Sequence, residues 1–570
     1  MNKRISSIII SPKDSIAFAM QKMQDGPHAN PPAPAGIVLI ADKKAKLLGV
    51  VTDGDIRRAL LRGLDAKESV AAIMTSQPLC VRSGQTAQEM LNELHREIKR
   101  RSAPENKYHN IVVVDEMSSA VDVVTPFELW RRSEVKTRTA AVIGLGYVGL
   151  TLALTLNEFG IEVYGIDINE EVVSKLKKGV PHFYEQGLEV LLKKHINKLL
   201  FVKKELAQNE SDIYIICVST PIDEHGKVVS SYLRKASEHV GCVLRLHDLV
   251  ILRSTVPIGV SRNVVIPILE KKSKLKAGED FFVAFAPERT VEGKALEELR
   301  TLPQIVGGYN KQSVDYASQL FQIFAHSIIT VSSLEAAEAV KLLNNTFRDV
   351  AFAFSNEVAQ VCDGFGLSSR EIIRAANEGY PRDKIPYPSP GVGGACLVKD
   401  PYIFAESARG VSRKAQFPKL SRTINKNMVD FVLRKVDDFC TIQRKDGETV
   451  KIFVMGMAFK GEPETSDIRD SVAVDILRRL REKYKNIFIY DPVAQKQDLD
   501  ILGAAVVLSP KAGFKNADCA LILNNHNSYR NLDIFNLAKS MRKPGFLFDG
   551  WGICNKAELA SLSHITYAGL

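Results

Sequence analysis

One stretch constrains this chain more than any other: Thr139-Ala-Ala-Val-Ile-Gly-Leu-Gly-Tyr-Val-Gly149. A short apolar strand runs straight into Gly144-x-Gly146-x-x-Gly149, and an apolar segment of helical character continues to Phe159. So short a passage from strand to helix needs a residue free to take positive φ and a helix packed close to the strand, and glycine permits both. Glu162-Val-Tyr-Gly-Ile-Asp167 then reads as a second strand ending in an acid. The parts are those of a βαβ dinucleotide seat. Gly144 makes the turn, Gly146 lets a pyrophosphate approach, Gly149 lets the helix pack, and Asp167 faces the ribose hydroxyls. Tyr147 and Val148, at the start of the helix, belong to the same cofactor-binding set. A carboxylate at Asp167 repels a 2′-phosphate, so the expected cofactor is NAD rather than NADP.

The following segments repeat the strand–turn theme. Asp212 to Val218 and Asp248 to Arg253 are apolar strands ending in Ser219-Thr220-Pro221 and Ser254-Thr255-Val-Pro257. Strand carboxyl ends are where ligands sit in such sheets. Phe281 to Phe285 runs into Ala286-Pro-Glu288-Arg-Thr-Val-Glu292-Gly293, which brings Glu288 and Glu292 to the same sheet edge. From Leu334 to Asp363 the apolar period is helical, and Lys341 and Asn345 share one face at i and i+4. Residues 368–378 and 412–438 are predicted helices as well. Between them lies Pro388-Ser-Pro-Gly-Val-Gly-Gly-Ala-Cys396-Leu-Val-Lys-Asp-Pro401. If a helix starts near Cys396, its N–H groups and Lys399 would favour thiolate. Asp400 could then hold a water or take a proton. A lone cysteine is more often a buried, inert one, and a polar helical pair is more often solvated surface, so the surrounding motifs must decide. After the polar break at Arg444–Glu448, strands at Val450–Gly456, Asn486–Asp491, Cys519–Leu523 and Gly545–Asp549 and a helix from Asp470 to Tyr484 predict a second Rossmann-like domain without the glycine fingerprint.

Residues 1–133 form a separate module containing a repeat. Gly36–Ala41 and Lys46–Thr52 read as strands, followed by a helix from Asp53 to Arg62; the order recurs at Asn110–Asp115, Ala120–Thr125 and Pro126–Arg132. Two such copies bury their faces against each other. A Pro-rich loop, His28 to Pro34, interrupts the first. Each copy resembles a cystathionine-β-synthase-type (CBS) domain. In the first, Gly49-Val-Val-Thr-Asp-Gly-Asp55 is similar to the nucleotide loop of that family, which implies Thr52 on a phosphate and Asp55 on ribose hydroxyls of an adenine nucleotide. The second departs, with Thr125-Pro-Phe-Glu128; the alternative is a structural or oligomerising module without ligand. The charged stretch Arg131–Arg138 reads as the linker.

Composition narrows the classes of function. No apolar run reaches the roughly 18 residues needed to span a membrane, and the basic-then-apolar start is too short for a signal peptide; a cytoplasmic enzyme is expected. The eight cysteines are scattered without a Cys-x-x-Cys pair, which argues against zinc and a disulfide framework; no metal is expected. The net charge is +10, but its densest run, His95–Arg101, has no interleaved aromatics, so phosphate-bearing small ligands fit better than nucleic acid.

From Ala140 to the C-terminus the motifs, in order, resemble the UDP-glucose/GDP-mannose dehydrogenase family: the glycine turn, Ser219-Thr-Pro221, Ser254-Thr-Val-Pro257, Glu288 with Glu292, Lys341 with Asn345, Gly393-Gly394-Ala-Cys396-x-x-Lys399-Asp400, and Ala458-Phe-Lys460 with Asp467-x-Arg469. The resemblance implies oxidation of a UDP-sugar C6 alcohol to a carboxylate with two NAD⁺, through a Cys396 thiohemiacetal and thioester. Lys341 and Asn345 would stabilise the oxyanion, Asp400 with Thr255 and Glu288 would position water, and Glu292 is a second base. Arg348, Gly394, Lys399, Lys460 and Glu292 are implied at the substrate, and Thr220 and Arg469 at the cofactor. Lys341-Leu-Leu-Asn-Asn-Thr-Phe-Arg-Asp-Val350 with Ser355-Asn-Glu357 is similar to the branch acting on UDP-N-acetylmannosamine or UDP-N-acetylglucosamine; Trp551 in Asp549-Gly-Trp551 departs from the UDP-glucose type. UDP-glucose 6-dehydrogenase is the alternative. From another class comes a nucleotide-sensing regulator with a degenerate dehydrogenase, disfavoured because Cys396, Lys341 and Asp400 are all present. The expected architecture is α/β: a CBS-domain pair (1–133), an NAD-binding Rossmann domain (138–330), a helical middle domain (331–443) and a Rossmann-like UDP-sugar-binding domain (449–570). The same resemblance implies at least a homodimer through the central helices.

Overall fold

The computed structural model describes residues 3–29, 33–43, 45–85, 89–90, 93–94, 97, 110–124, 139–223, 226–382 and 384–570. The chain forms two compact units, Met1–Arg138 and Thr139–Leu570.

In the first unit the repeat is written in the backbone. Ile37–Ala41 runs parallel to Ile9–Ile10 and antiparallel to Leu47–Thr52. Ile111–Val114 likewise runs parallel to Cys80–Arg82 and antiparallel to Ala120–Val124. Both antiparallel pairs slip register at the same place, between Ile40 and Ala41 and between Val113 and Val114. Val112, Ala120 and Val123 of the second triplet join Leu39 and Val51 of the first in one core, while Ile111, Val113 and Val124 pack with Leu79 and Val81 in another. The second-copy positions Thr125–Arg132, with Glu128, and the linker 131–138 lie outside the described residues, as does most of the basic run 95–101.

The second unit carries two sheets and a helical middle. The first sheet has the order Ile328–Thr330, Gln304–Gly308, Phe282–Phe285, Leu249–Leu252, Ile213–Ile216, Ala140–Ile143, Val163–Ile166, Leu200–Lys203. All neighbours are parallel except Phe282–Phe285 with Gln304–Gly308. Strands such as Ala140–Ile143 and Ile213–Ile216 are buried along their whole length, which is why they read as unbroken apolar runs rather than alternating ones. Chain order reverses between Ala140–Ile143 and Ile213–Ile216, where a doubly wound sheet opens its ligand crevice. The second sheet, Ala505–Val506, Asn486–Tyr490, Lys451–Met455, Cys519–Ile522, Gly545–Asp549, Ile565–Gly569, is wholly parallel with the same winding.

Between the sheets lie helix α1 (Leu334–Gly364), helix α2 (Asp400–Gly410) and helix α3 (Phe417–Ile442). Helix α3 starts later than the predicted 412, because Ser412 is left-handed at φ 56 and Pro418 sets the first turn. A buried polar network joins α1 to α3. Asp349 accepts from Arg422 at 2.7 Å, Asn425 at 2.8 Å and Ser421 at 2.6 Å. Arg422 donates onward to the Val392 carbonyl at 3.2 Å, and Asn356 accepts from the Ser389 amide at 2.9 Å. The loop leading to Cys396 is thus pinned to α1 by satisfied buried groups. Among the described residues no helix is long and apolar enough to cross a membrane.

Candidate active site

The glycine turn has the shape its sequence requires. Gly144 takes φ 93, and a Cβ there would lie 2.9 Å from the Cys217 carbonyl oxygen. A Cβ on Gly149 would lie 1.8 Å from the Gly144 carbonyl oxygen, so the helix can touch the strand only through glycine. A Cβ on Gly146 would meet nothing within 4 Å. That open side is where a pyrophosphate fits, against the helix Tyr147–Glu158, whose N-cap Gly146 offers no side chain to its first N–H groups. Asp167 accepts from the Leu145 and Asn169 amides, each at 2.9 Å, and stays half-buried at the rim with Val148. These residues fit NAD.

Cys396 sits in a tight turn before α2 rather than in a helix. The predicted helical start is therefore corrected: α2 begins at Asp400, whose amide donates to the Cys396 carbonyl at 2.9 Å. Gly394 takes φ 88, and a Cβ there would press to 2.6 Å on Phe459; one on Gly393 would come within 2.5 Å of the Asp470 carbonyl oxygen. The paired glycines thus admit the 456–471 loop of the second sheet. The predicted thiolate is also corrected. Cys396 keeps an exposed face, yet dense protein around it pushes the thiol up; Lys341 opposes this, Asp400 adds to it, and Lys399 and Glu292 act more weakly.

Lys341 and Asn345 are both buried on one face of α1. Asn345 donates to Asp400 Oδ2 at 2.6 Å. Asp400 Oδ1 is buried and accepts no hydrogen bond, its nearest cation being Lys399 Nζ at 3.7 Å. Lys399 also reaches the Thr220 carbonyl and hydroxyl, each at 3.3 Å, and the Thr220 hydroxyl donates to the Thr255 carbonyl at 2.5 Å. One ammonium therefore links the cysteine turn to the Ser219-Thr-Pro221 and Ser254-Thr-Val-Pro257 turns.

Glu288 and Glu292 share a loop but serve different partners. Glu288 is buried, pairs with Arg253 and accepts from the Arg289 and Thr290 amides at 2.8 and 2.9 Å. Burial raises its carboxyl, but Arg253 outweighs it and holds Glu288 below the ordinary range, with Lys341 helping. Glu292 faces the second sheet. Burial, with Asp467, pushes it up, Lys460 opposes, and Thr465 donates to it at 3.3 Å. Lys460 donates to the Glu292 carbonyl at 2.6 Å; burial lowers its ammonium to about 8, against the pull of Glu292, and Arg348, exposed on α1, adds repulsion. Arg469 grips Asp467 with both ends of its fork, and with Asp167 it lies in range of His182. The Trp551 indole donates to the Leu523 carbonyl at 2.8 Å. Sequence reading missed Arg253 and Glu185; the latter accepts from Tyr147 at 2.6 Å. Neither lies in a motif, and each meets its partner from a distant segment.

In the first unit Thr52 and Asp55 face each other as a capping box for the helix Asp53–Leu61. Asp55 Oδ2 accepts from the Thr52 amide at 2.9 Å and hydroxyl at 2.7 Å, while Oδ1 accepts from Arg58 at 2.6 Å.

Comparison with known proteins follows this division. The UDP-glucose/GDP-mannose dehydrogenase NAD binding domain matches residues 138–325, the central domain 335–427, and the UDP binding domain 453–556; a CBS domain matches 1–62. A UDP-N-acetyl-D-mannosamine dehydrogenase of Pyrococcus horikoshii is 34% identical over 418 residues, covering 72% of this chain and 95% of the relative. A solved structure of UDP-D-ManNAc dehydrogenase from that organism superposes with TM-score 0.68 at 31% identity over 76% of this chain and 98% of the other. A UDP-glucose dehydrogenase from Pyrobaculum islandicum gives TM-score 0.67 at 25% identity, over 76% and 98%. With the glycine seat, the cysteine turn and the second sheet each falling in its own matched domain, the chain belongs to the UDP-glucose/GDP-mannose dehydrogenase family of NAD-dependent nucleotide-sugar dehydrogenases.

Proposed function

We propose that the chain oxidises the C6 alcohol of a UDP-N-acetylhexosamine to the carboxylate, through a thiohemiacetal and a thioester on Cys396, and so supplies a uronic acid for surface polysaccharide. The observation that carries this reading is the meeting of Cys396, Lys341 and the Asn345–Asp400 pair at one turn. When bound, NAD⁺ would accept a hydride at each of the two oxidations, the C6 hydroxyl proton passing to water at the first. The residues do the rest. With the thiol held up, its proton leaves as sulfur adds to the aldehyde carbon, and the buried, open Oδ1 of Asp400 is placed to take it. The oxyanion formed lies between Lys341 and Asn345, donors fixed on one helical face. Once the adduct is oxidised to the thioester, Asp400 orients water, the C–S bond breaks, and Cys396 returns as thiol. Lys460, with Arg348 nearby, offers cationic charge to the nucleotide diphosphate. Relatives named for UDP-N-acetyl-D-mannosamine favour that substrate. Two NADH per sugar from an acetylated substrate, lost in Cys396→Ala, are expected. One NADH per sugar, or full activity without Cys396, would sink the mechanism, and a preference for UDP-glucose would overturn the substrate.

We infer that the first unit binds an adenine nucleotide at Thr52 and Asp55 and tunes activity, as its CBS match supports. Calorimetry on the full chain should show AMP, ADP or ATP binding that Asp55→Ala removes. A second copy fits helix α1, which exposes Leu343, Phe347, Phe354 and Val361 at helical spacing. Free, unbridged cysteines accord with a reducing cytoplasm.

A further inference from the structure

The mechanism above makes no use of Glu185, yet the residue is 5% exposed and its carboxylate collects three donors. Tyr147 donates its hydroxyl to Oε2 at 2.6 Å, the Gly293 amide donates to the same oxygen at 2.7 Å, and the Ala295 amide donates to Oε1 at 2.8 Å. These donors belong to two different segments. Tyr147 is the first residue of the helix behind the glycine turn. Gly293 and Ala295 flank the end of the bend that carries Glu292, and the Gly293 amide also lies 3.1 Å from the Tyr147 oxygen. From the opposite side the second sheet closes on the same bend. Lys460 donates to the Glu292 carbonyl at 2.6 Å, and a Cβ on Gly293 would come within 2.4 Å of the Glu464 carbonyl oxygen. Residues 291–293 are therefore clamped, with the dinucleotide helix on one side and the Lys460 loop on the other.

We propose that Glu185 is a positioning residue that ties the Glu292 bend to the dinucleotide helix, so that filling the NAD seat stiffens the bend and tightens the sugar site. The sugar half of this statement rests on the function proposed above. A ligand that orders a shared element lowers the ordering cost for the next ligand, which is positive coupling. Only a carboxylate suits the position. Glutamine would turn its NH₂ toward the Ala295 amide in one orientation or toward the Gly293 amide in the other, setting donor against donor.

The test uses the full chain with NADH as the probe. Hydrogen exchange across residues 291–295 is measured with and without NADH for the wild type, Glu185→Gln and Tyr147→Phe, and the dissociation constant of UDP-N-acetylmannosamine is measured in both conditions. In the wild type NADH should slow exchange by about 10-fold or more and tighten the sugar by about 5-fold or more. Glu185→Gln should lose both effects while still binding NADH, and Tyr147→Phe, which removes the one hydroxyl that joins Glu185 to the helix, should lose them as well. A merely structural role for Glu185 would lower the melting temperature and leave the NADH-dependent ratios untouched, and that result overturns the proposal. So does a wild type whose bend ignores NADH. If Glu185→Gln does not fold, the Tyr147→Phe ratios decide. A wild type that turns over no UDP-sugar sinks the proposed function alone, since the exchange measurement needs only NADH.

Discussion

The two sheets of the second unit share a winding order but treat the end of their first strand in opposite ways. Both place a glycine there in the left-handed region, Gly144 at φ 93 and Gly456 at φ 95. Both end their second strand in an aspartate that accepts from the loop after the first, Asp167 from Leu145 and Asp491 from Met457 and Ala458. In the first sheet the helix begins at once, at Tyr147. In the second, residues 456–471 intervene before the helix Val472–Lys483 and carry Lys460, Thr465, Asp467 and Arg469 to the Glu292 bend. One sheet presents bare backbone N–H groups and the other presents side chains. The same scaffold thus offers a ligand either a helix terminus or lysine and arginine side chains, and only the first leaves a glycine signature.

The comparison can be broken in several ways, of decreasing size. Gly149→Val puts carbon onto the Gly144 carbonyl and should cost more than about 4 kcal/mol, read as loss of cooperative unfolding; a stable Gly149→Val protein would mean the helix need not touch the strand. Asp491→Asn disturbs a buried carboxylate that also accepts from Val493 and Ala494. It should lose about 3 kcal/mol of stability with unchanged NAD affinity. Asp167→Asn, half-exposed with two amide partners, should do the reverse, weakening NAD by about 2 kcal/mol in calorimetry with little change in melting. If the two aspartates exchanged behaviour, the division between cofactor acid and structural acid would be wrong. Gly146→Ala, whose Cβ enters open space, should leave stability alone and weaken NAD by on the order of 10-fold, about 1.4 kcal/mol. The smallest effect is on pH. Lys460 is charged below about 8 and neutral above. The KM for the UDP-sugar should therefore rise by about 5-fold, near 1 kcal/mol, above that pH, while the KM for NAD stays flat. A flat sugar KM would remove Lys460 from the diphosphate.

Legibility in the sequence follows locality. The glycine turn, the repeat at Ile37–Thr52 and Ile111–Val124, and the Lys341–Asn345 face were readable because each is dictated by residues within a turn or two of one another. Cys396 was located, but the packing that pushes its thiol up was not legible, since Lys341 and Glu292 come from segments far along the chain. Arg253 and Glu185 were invisible for the same reason. Arg253 follows the apolar strand Leu249–Leu252 and finds Glu288 beyond the end of the neighbouring strand, and Glu185 meets Gly293 across 108 residues. The loop 456–471 was legible only as isolated motif letters, because side-chain seats follow no periodicity.

The raised thiol of Cys396 has a consequence for the working life of the protein. Peroxide attacks thiolate far faster than thiol, and the path to sulfinic and sulfonic acid begins there. A cysteine whose thiol is pushed up, though one face is exposed, presents less thiolate to peroxide than a free one. Under the mechanism proposed above, the packing that holds the nucleophile in place also shields it from oxidation between turnovers.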